Sequence, residues 1–138
     1  MIYLDTSVVV SVFVPDVHSH RVLTWLGRTS DAPVLSYWTI AEFSSAAALL
    51  ERVGQITRDR RLLAEQNFDA WTTSVERAPV VRVDFEVARD LIRHGRAALR
   101  TPDALHLAVA RRLGATLATL DAGMGTAALA AGLSLETI

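Results

Sequence analysis

Five short apolar runs, separated by longer stretches of helical periodicity, limit this chain to a narrow set of folds. The runs 2–5, 33–36, 80–83, 115–120 and 133–137 read as strands. Between them, apolar residues recur at three- and four-residue spacing, as in Val22-Leu23-Leu26 and in Leu62-Leu63-Phe68-Trp71-Val75. Strands that alternate with helices assemble into a parallel sheet through right-handed crossovers, with helices on both faces. The expected fold is therefore a three-layer α/β/α sandwich around a parallel sheet of four to five strands. With 138 residues, one hydrophobic core is expected, so 1–138 reads as a single domain.

Local signals place the helices. Pro15-Asp16 opens a helix to about Gly27, and a long helix from about Thr39 to Val53 stops at Gly54. Thr57 caps a helix of roughly twenty residues, and Asp84 caps the one after the 80–83 run. Thr101 as cap with Pro102 at the first helical position is a helix start, and Gly114 is the matching stop. A further helix is expected near 122–131. Residues 6–13 are β-rich by propensity, yet Thr6 and Ser7 suit a helix start just after Asp5.

Composition removes several chemistries. There is no cysteine, which excludes disulfides, thiolate nucleophiles and cysteine-based metal sites. All 14 cationic residues are arginine, so lysine-dependent phosphate loops, Schiff bases and Ser-Lys dyads are excluded too. A net charge of −1 confines any nucleic-acid-binding surface to a local patch. A hydrophobic fraction of 51% leaves apolar surface for a partner or a second copy. No apolar run reaches membrane-spanning length, and the N-terminus enters a strand directly, so a cytoplasmic location is expected.

Four acidic residues stand where strands or helices begin or end: Asp5, Glu42, Asp103 and Asp121. In parallel α/β sheets, sites form at the carboxyl ends of strands. Carboxylates brought together there repel: a pair about 4 Å apart costs roughly 4 kcal/mol at an effective dielectric near 20. A hard divalent cation with oxygen ligands would relieve that repulsion. Each acid also has an ordinary explanation. Asp5 can cap the segment at Thr6, Asp103 can complement a helix dipole, Asp121 can open a turn, and Glu42 can point to solvent.

Taken together, the segments Ile2-Tyr3-Leu4-Asp5-Thr6-Ser7, Ala41-Glu42-Phe43, Thr101-Pro102-Asp103-Ala104-Leu105-His106 and Leu117-Ala118-Thr119-Leu120-Asp121 resemble, in order, the motifs of PIN-domain ribonucleases. Within that family the chain is most similar to the VapC toxins of type II (VapBC) toxin–antitoxin pairs. The resemblance implies a PIN-like fold and an endoribonuclease that depends on Mg2+ or Mn2+. Asp5, Glu42, Asp103 and Asp121 would form the metal-binding and catalytic quartet, with Thr6 and Thr119 as supporting hydroxyls. It further implies a VapB-type antitoxin, a homodimer, and contact with DNA only through the antitoxin. The chemistry agrees, because a divalent ion neutralises phosphate charge and activates water for in-line attack.

Arg89, Arg93, Arg96 and Arg100, spaced four, three and four apart, would share one face of a helix leading to Asp103. Arginine's planar fork suits phosphate, so this stripe is a candidate RNA track, with a solvated face as the alternative. His106 reads as a core histidine or one that supports a ligand. Trp25, Trp38 and Trp71 read as packing residues. A receiver-like domain phosphorylated on Asp5, or an inactive RNA-binding scaffold, are the competing readings. The first lacks the lysine and the second acid beside Asp5 that it would need.

Overall fold

The structure, a computed structural model, describes residues 1–95 and 98–138. The chain runs β1 (Ile2–Leu4), α1 (Thr6–Phe13), α2 (Ser19–Leu26), β2 (Pro33–Ser36), α3 (Tyr37–Arg52), α4 (Arg58–Thr72), β3 (Glu76–Ala78), α5 (Arg82–His94), α6 (Thr101–Leu113), β4 (Thr116–Ala118) and α7 (Ala122–Ala130). The four strands lie in the order β3-β2-β1-β4, and every neighbouring pair is parallel. The chain steps outward from β1 to β2 and β3, then crosses back to place β4 on the other side of β1. The strand order therefore reverses at β1, and the carboxyl ends of β1 and β4 flank the crevice where open α/β sheets bind ligands.

The pleat decides which side chain enters which layer. Ile2 and Leu4 point to one face, into a core with Val8, Val9, Leu35, Phe43 and Phe68. Tyr3 points to the other, with Val34, Leu107, Leu117, Met124 and Ala128. The first core contains an aromatic cluster in which the Phe43 and Phe68 rings lie 4.0 Å apart. On the second face, α5 packs along α6, and Arg112 of α6 grips the buried Asp84 of α5.

Several local expectations are corrected. Residues 6–13 form a helix despite their valines. Each β-branched residue costs a helix roughly half a kcal/mol, but the Asp5 cap contributes about 1 kcal/mol and Val8 and Val9 are completely buried. The third strand is 76–78 and not 80–83, because Pro79 cannot extend the ladder and Val81 serves as N-cap of α5. Asp84 does not cap that helix from outside; it sits in the first turn and accepts the Val81 N–H at 2.8 Å. Asp16 forms a turn, accepting the N–H groups of His18 and Ser19, so α2 begins only at Ser19. The helix after Thr57 is shorter than expected, at fifteen residues. Thr101 is the first residue of α6, and Arg100 is its N-cap. The expected last strand is reduced to one bridge, Leu117 to Leu135. Gly114 does end α6, in the left-handed region at φ 62°.

Candidate functional site

Asp5 lies immediately past β1 and is 2% exposed. Its Oδ1 accepts the Val8 N–H at 3.1 Å and the Ser7 hydroxyl at 2.7 Å, while Oδ2 accepts the Thr119 hydroxyl at 2.6 Å. Those two hydroxyls in turn accept backbone N–H groups, Ser7 from Leu120 and Thr119 from Asp121. The ends of β1 and β4 are thereby stitched together around one carboxylate. Burial pushes the Asp5 carboxyl above its ordinary range, against the opposing pull of the Thr119, Ser7 and Val8 hydrogen bonds. No cation touches it among the described residues.

Glu42 projects from the second turn of α3, whose start is set by a reciprocal cap between Ser36 and Thr39. Its Oε2 accepts the Thr6 hydroxyl at 2.6 Å and contacts His106 Nε2 at 2.6 Å. Burial, the largest single influence, works to raise its pKa; the hydrogen bonds from His106 and Thr6 prevail and hold it below the usual carboxylate range. His106, 2% exposed, reaches inward as well, with Nδ1 at 2.8 Å from the Tyr3 hydroxyl. Tyr3 meets Ser36 Oγ at 2.8 Å and Thr39 Oγ1 at 3.3 Å, and its burial raises the phenol's pKa strongly.

Asp103 lies one helical turn before His106 on α6, in the first turn, where the helix dipole favours an anion. Among the described residues its one side-chain polar contact is Arg100 Nε at 3.4 Å, and Arg100 is 81% exposed. Asp121 caps α7, with Oδ1 accepting the Met124 N–H at 2.8 Å. Hydrogen bonds thus join Asp5, Thr119 and the Asp121 backbone on one side, and Thr6, Glu42 and His106 on the other. Asp103 is not hydrogen-bonded to any of them.

Among the described residues, no three acidic or imidazole side chains are close enough to enclose one ion. Each peripheral acid is held locally: Glu42 by Thr6 and His106, Asp103 by Arg100, Asp121 by its own helix. The donor set nevertheless suits Mg2+ or Mn2+. It is all oxygen, and Glu42 Oε1, Asp103 Oδ1 and Asp121 Oδ2 carry no hydrogen bond of ordinary geometry among the described residues. Mg2+ commonly keeps several waters and uses only one or two carboxylates besides substrate phosphates, so a closed cage is not required. Two cavities, of about 450 and 590 Å³, lie elsewhere and include none of the four acids. A smaller one of about 210 Å³ adjoins Thr119 and Asp121.

The arginine stripe does not form one helical face. Helix α5 ends at His94, Arg100 caps a different helix, and Arg96 lies outside the described residues. Arg89 pairs with its neighbour Asp90 at 3.2 Å. The sequence marks Ser7 only as a helix-start residue and His106 as a core or supporting histidine, and it gives Tyr3 no functional role. Ser7 had a detectable signal, a hydroxyl two residues after a strand-ending Asp. Tyr3 had none, since a tyrosine within a buried strand looks like core.

A parallel sheet flanked by helices, whose strand order reverses between two acid-bearing strand ends, defines an α/β/α protein. The PIN domain family model matches residues 2–129, and the chain belongs to this family, whose members are nucleases. Among solved structures, the chain is similar to FitAcB from Neisseria gonorrhoeae, with 22% identity and a TM-score of 0.77, covering 99% of this chain and 97% of that one. It is also similar to the Mycobacterium tuberculosis VapC20, a Sarcin-Ricin loop cleaving toxin, with 21% identity and a TM-score of 0.73 over 92% and 95% of the two chains. A third is VapBC2 from Rickettsia felis bound to a promoter DNA fragment, with 18% identity and a TM-score of 0.69 over 99% and 98%. No curated protein matches the chain.

Proposed function

We propose that this protein is a Mg2+- or Mn2+-dependent endoribonuclease and the toxin of a toxin–antitoxin pair. The observation that carries the reading is Asp5: a buried carboxylate at the switch point of the sheet, ringed by hydroxyl and N–H donors and without a counter-cation among the described residues. Asp5, Glu42, Asp103 and Asp121 would hold the ion. When bound, it supplies charge neutralisation at the phosphodiester and a lower pKa for water.

The chain's own residues supply the rest. Ser7 and Thr119 fix both oxygens of Asp5, so the carboxylate cannot rotate away from the edge. Thr6 holds Glu42 against the other side of the crevice. An anionic phosphate would draw Arg100 from Asp103, because that pair is exposed and worth at most about 1 kcal/mol.

The toxin reading is supported by similar structures: VapC20, described as a Sarcin-Ricin loop cleaving toxin, a toxin–antitoxin complex from Klebsiella pneumoniae, and FitAB and VapBC2, each bound to a DNA fragment. An antitoxin and a second copy of the chain would cover exposed apolar residues such as Leu49, Val53, Leu62 and Leu63 on α3 and α4, and Phe85 and Ile92 on α5. DNA would be contacted through the antitoxin. Among the described residues, no helix is long and apolar enough to cross a membrane. A toxin that cleaves RNA would act in the cytoplasm.

The test is cleavage of RNA by the purified chain with Mg2+, Mn2+ or EDTA. Metal-dependent cleavage that Asp5→Asn abolishes is the expected result. Equal cleavage in EDTA, or none with either metal, would overturn the reading.

A further inference from the structure

Both donors to Glu42 converge on the same oxygen. Thr6 Oγ1 and His106 Nε2 each lie 2.6 Å from Oε2, whereas Oε1 accepts no hydrogen bond of ordinary geometry among the described residues. The buried Trp38 indole N–H, which has no other partner there, also helps to hold the Glu42 pKa down. Behind His106 the chain of polar contacts continues into the core through Tyr3 to Ser36 and Thr39, in an otherwise apolar layer. For a neutral His106 imidazole, proton counting along this chain leaves one consistent direction. The Glu42 carboxylate can only accept, so Nε2 carries the hydrogen. Nδ1 is then free to accept, and the buried Tyr3 hydroxyl donates to it. Tyr3 has spent its only proton, so Ser36 or Thr39 must donate to the phenol oxygen.

Resting on the reading of Glu42 as a metal-site acid, we propose that Tyr3 and His106 form a positioning arm that holds Oε2 and so presents Oε1 of Glu42 to the cation. The arm starts inside β1, passes through α6 and ends on α3, so it also sets the spacing between three elements that carry acids. An imidazole fixed by a buried partner on its far nitrogen is a stiffer hold than a surface side chain would be. Supports of this kind behind a ligand typically change metal affinity about 10–100-fold. Neither residue touches substrate in this scheme; both act through Glu42.

The test uses the intact chain and Mn2+ alone, with bound ion counted from the loss of the free Mn2+ electron paramagnetic resonance signal. His106→Gln places an amide N–H where Nε2 stood and should bind Mn2+ within a few-fold of wild type. His106→Asn is too short to reach Glu42 and should lose about 10–100-fold. Tyr3→Phe, which keeps the ring's shape, should show a smaller loss in the same direction. Thermal melting confirms that each variant is folded. Nitrogen-15 spectra of the metal-free wild type should show His106 protonated at Nε2 and bare at Nδ1. Equal affinity in the Asn and Gln variants, whether both are wild-type or both are weak, overturns the arm, as does the opposite tautomer. A wild-type chain that binds no Mn2+ overturns the parent reading instead.

Discussion

Asp5 and Asp84 are both acidic, both about as buried as a carboxylate can be, at 2% and 1% exposure, and both sit at the start of a helix. Their surroundings differ in one respect. Asp84 is clasped through both oxygens by Arg112, from Nε at 2.7 Å and Nη2 at 3.1 Å, and the same guanidinium reaches the Pro79 carbonyl. Asp5 receives hydroxyls and one backbone N–H but, among the described residues, no ion pair. A paired buried charge is a structural fixture. An unpaired one raises the free energy of the folded chain until something cationic arrives, which is how a fold reserves a place for an ion.

Breaking each side of this comparison should give opposite results. Asp5→Asn should abolish metal-dependent RNA cleavage while the metal-free melting temperature matches or exceeds that of wild type, because a neutral amide removes a costly buried charge. Retained cleavage at saturating Mn2+ would remove Asp5 from the site. Arg112→Ala should do the reverse, leaving Asp84 buried without its partner and costing about 3–5 kcal/mol in urea unfolding. A loss below 1 kcal/mol would mean Asp84 is not held as described.

The comparison also predicts pH dependence. The Asp5 pKa is raised on folding by burial, so the folded chain holds its proton to higher pH than the unfolded chain does. The contribution of Asp5 to stability in metal-free buffer should therefore fall as pH rises from about 4, the ordinary carboxylate value, through the raised folded value, against the opposite contribution of the depressed Glu42. Asp5→Asn should flatten that fall, and added Mn2+ should reverse it; unfolding curves at several pH values check both. The smallest effect belongs to Arg100→Ala. Its contact with Asp103 is exposed, so stability should change by under about 1 kcal/mol. If Arg100 also meets phosphate, the salt slope of single-stranded RNA binding should drop by about 0.7. An unchanged slope would assign it to the surface alone.

Particular residues show where sequence reading succeeded. The strand ending at Asp5 and the strand before Thr119 were legible because short apolar runs bounded by turn residues have few other uses. The helix at 6–13 was ambiguous because its valines favour strands, and only the Asp5 cap and the burial of Val8 and Val9 decided it. The strand at 80–83 was misplaced because Val80, Val81 and Val83 look more like a strand than Glu76-Arg77-Ala78 does, yet pairing with β2 chose the latter. The arginine stripe failed for a related reason. Spacing defines a helical face only while the helix lasts, and α5 stops at His94.

The order of strands and helices, the absence of lysine and cysteine, and the four strand-end and helix-end acids were determined by the sequence itself, since propensity, spacing and composition act over a few residues. Which carboxylate is buried without a cation and which is clasped by arginine was decided only by tertiary structure. Asp5 meets Thr119 across 114 positions of chain, and Tyr3 meets His106 across 103. No local pattern encodes such meetings. They follow from packing β4 beside β1 and laying α6 over the same face, where burial gathers ordinary polar residues into two hydrogen-bonded groups.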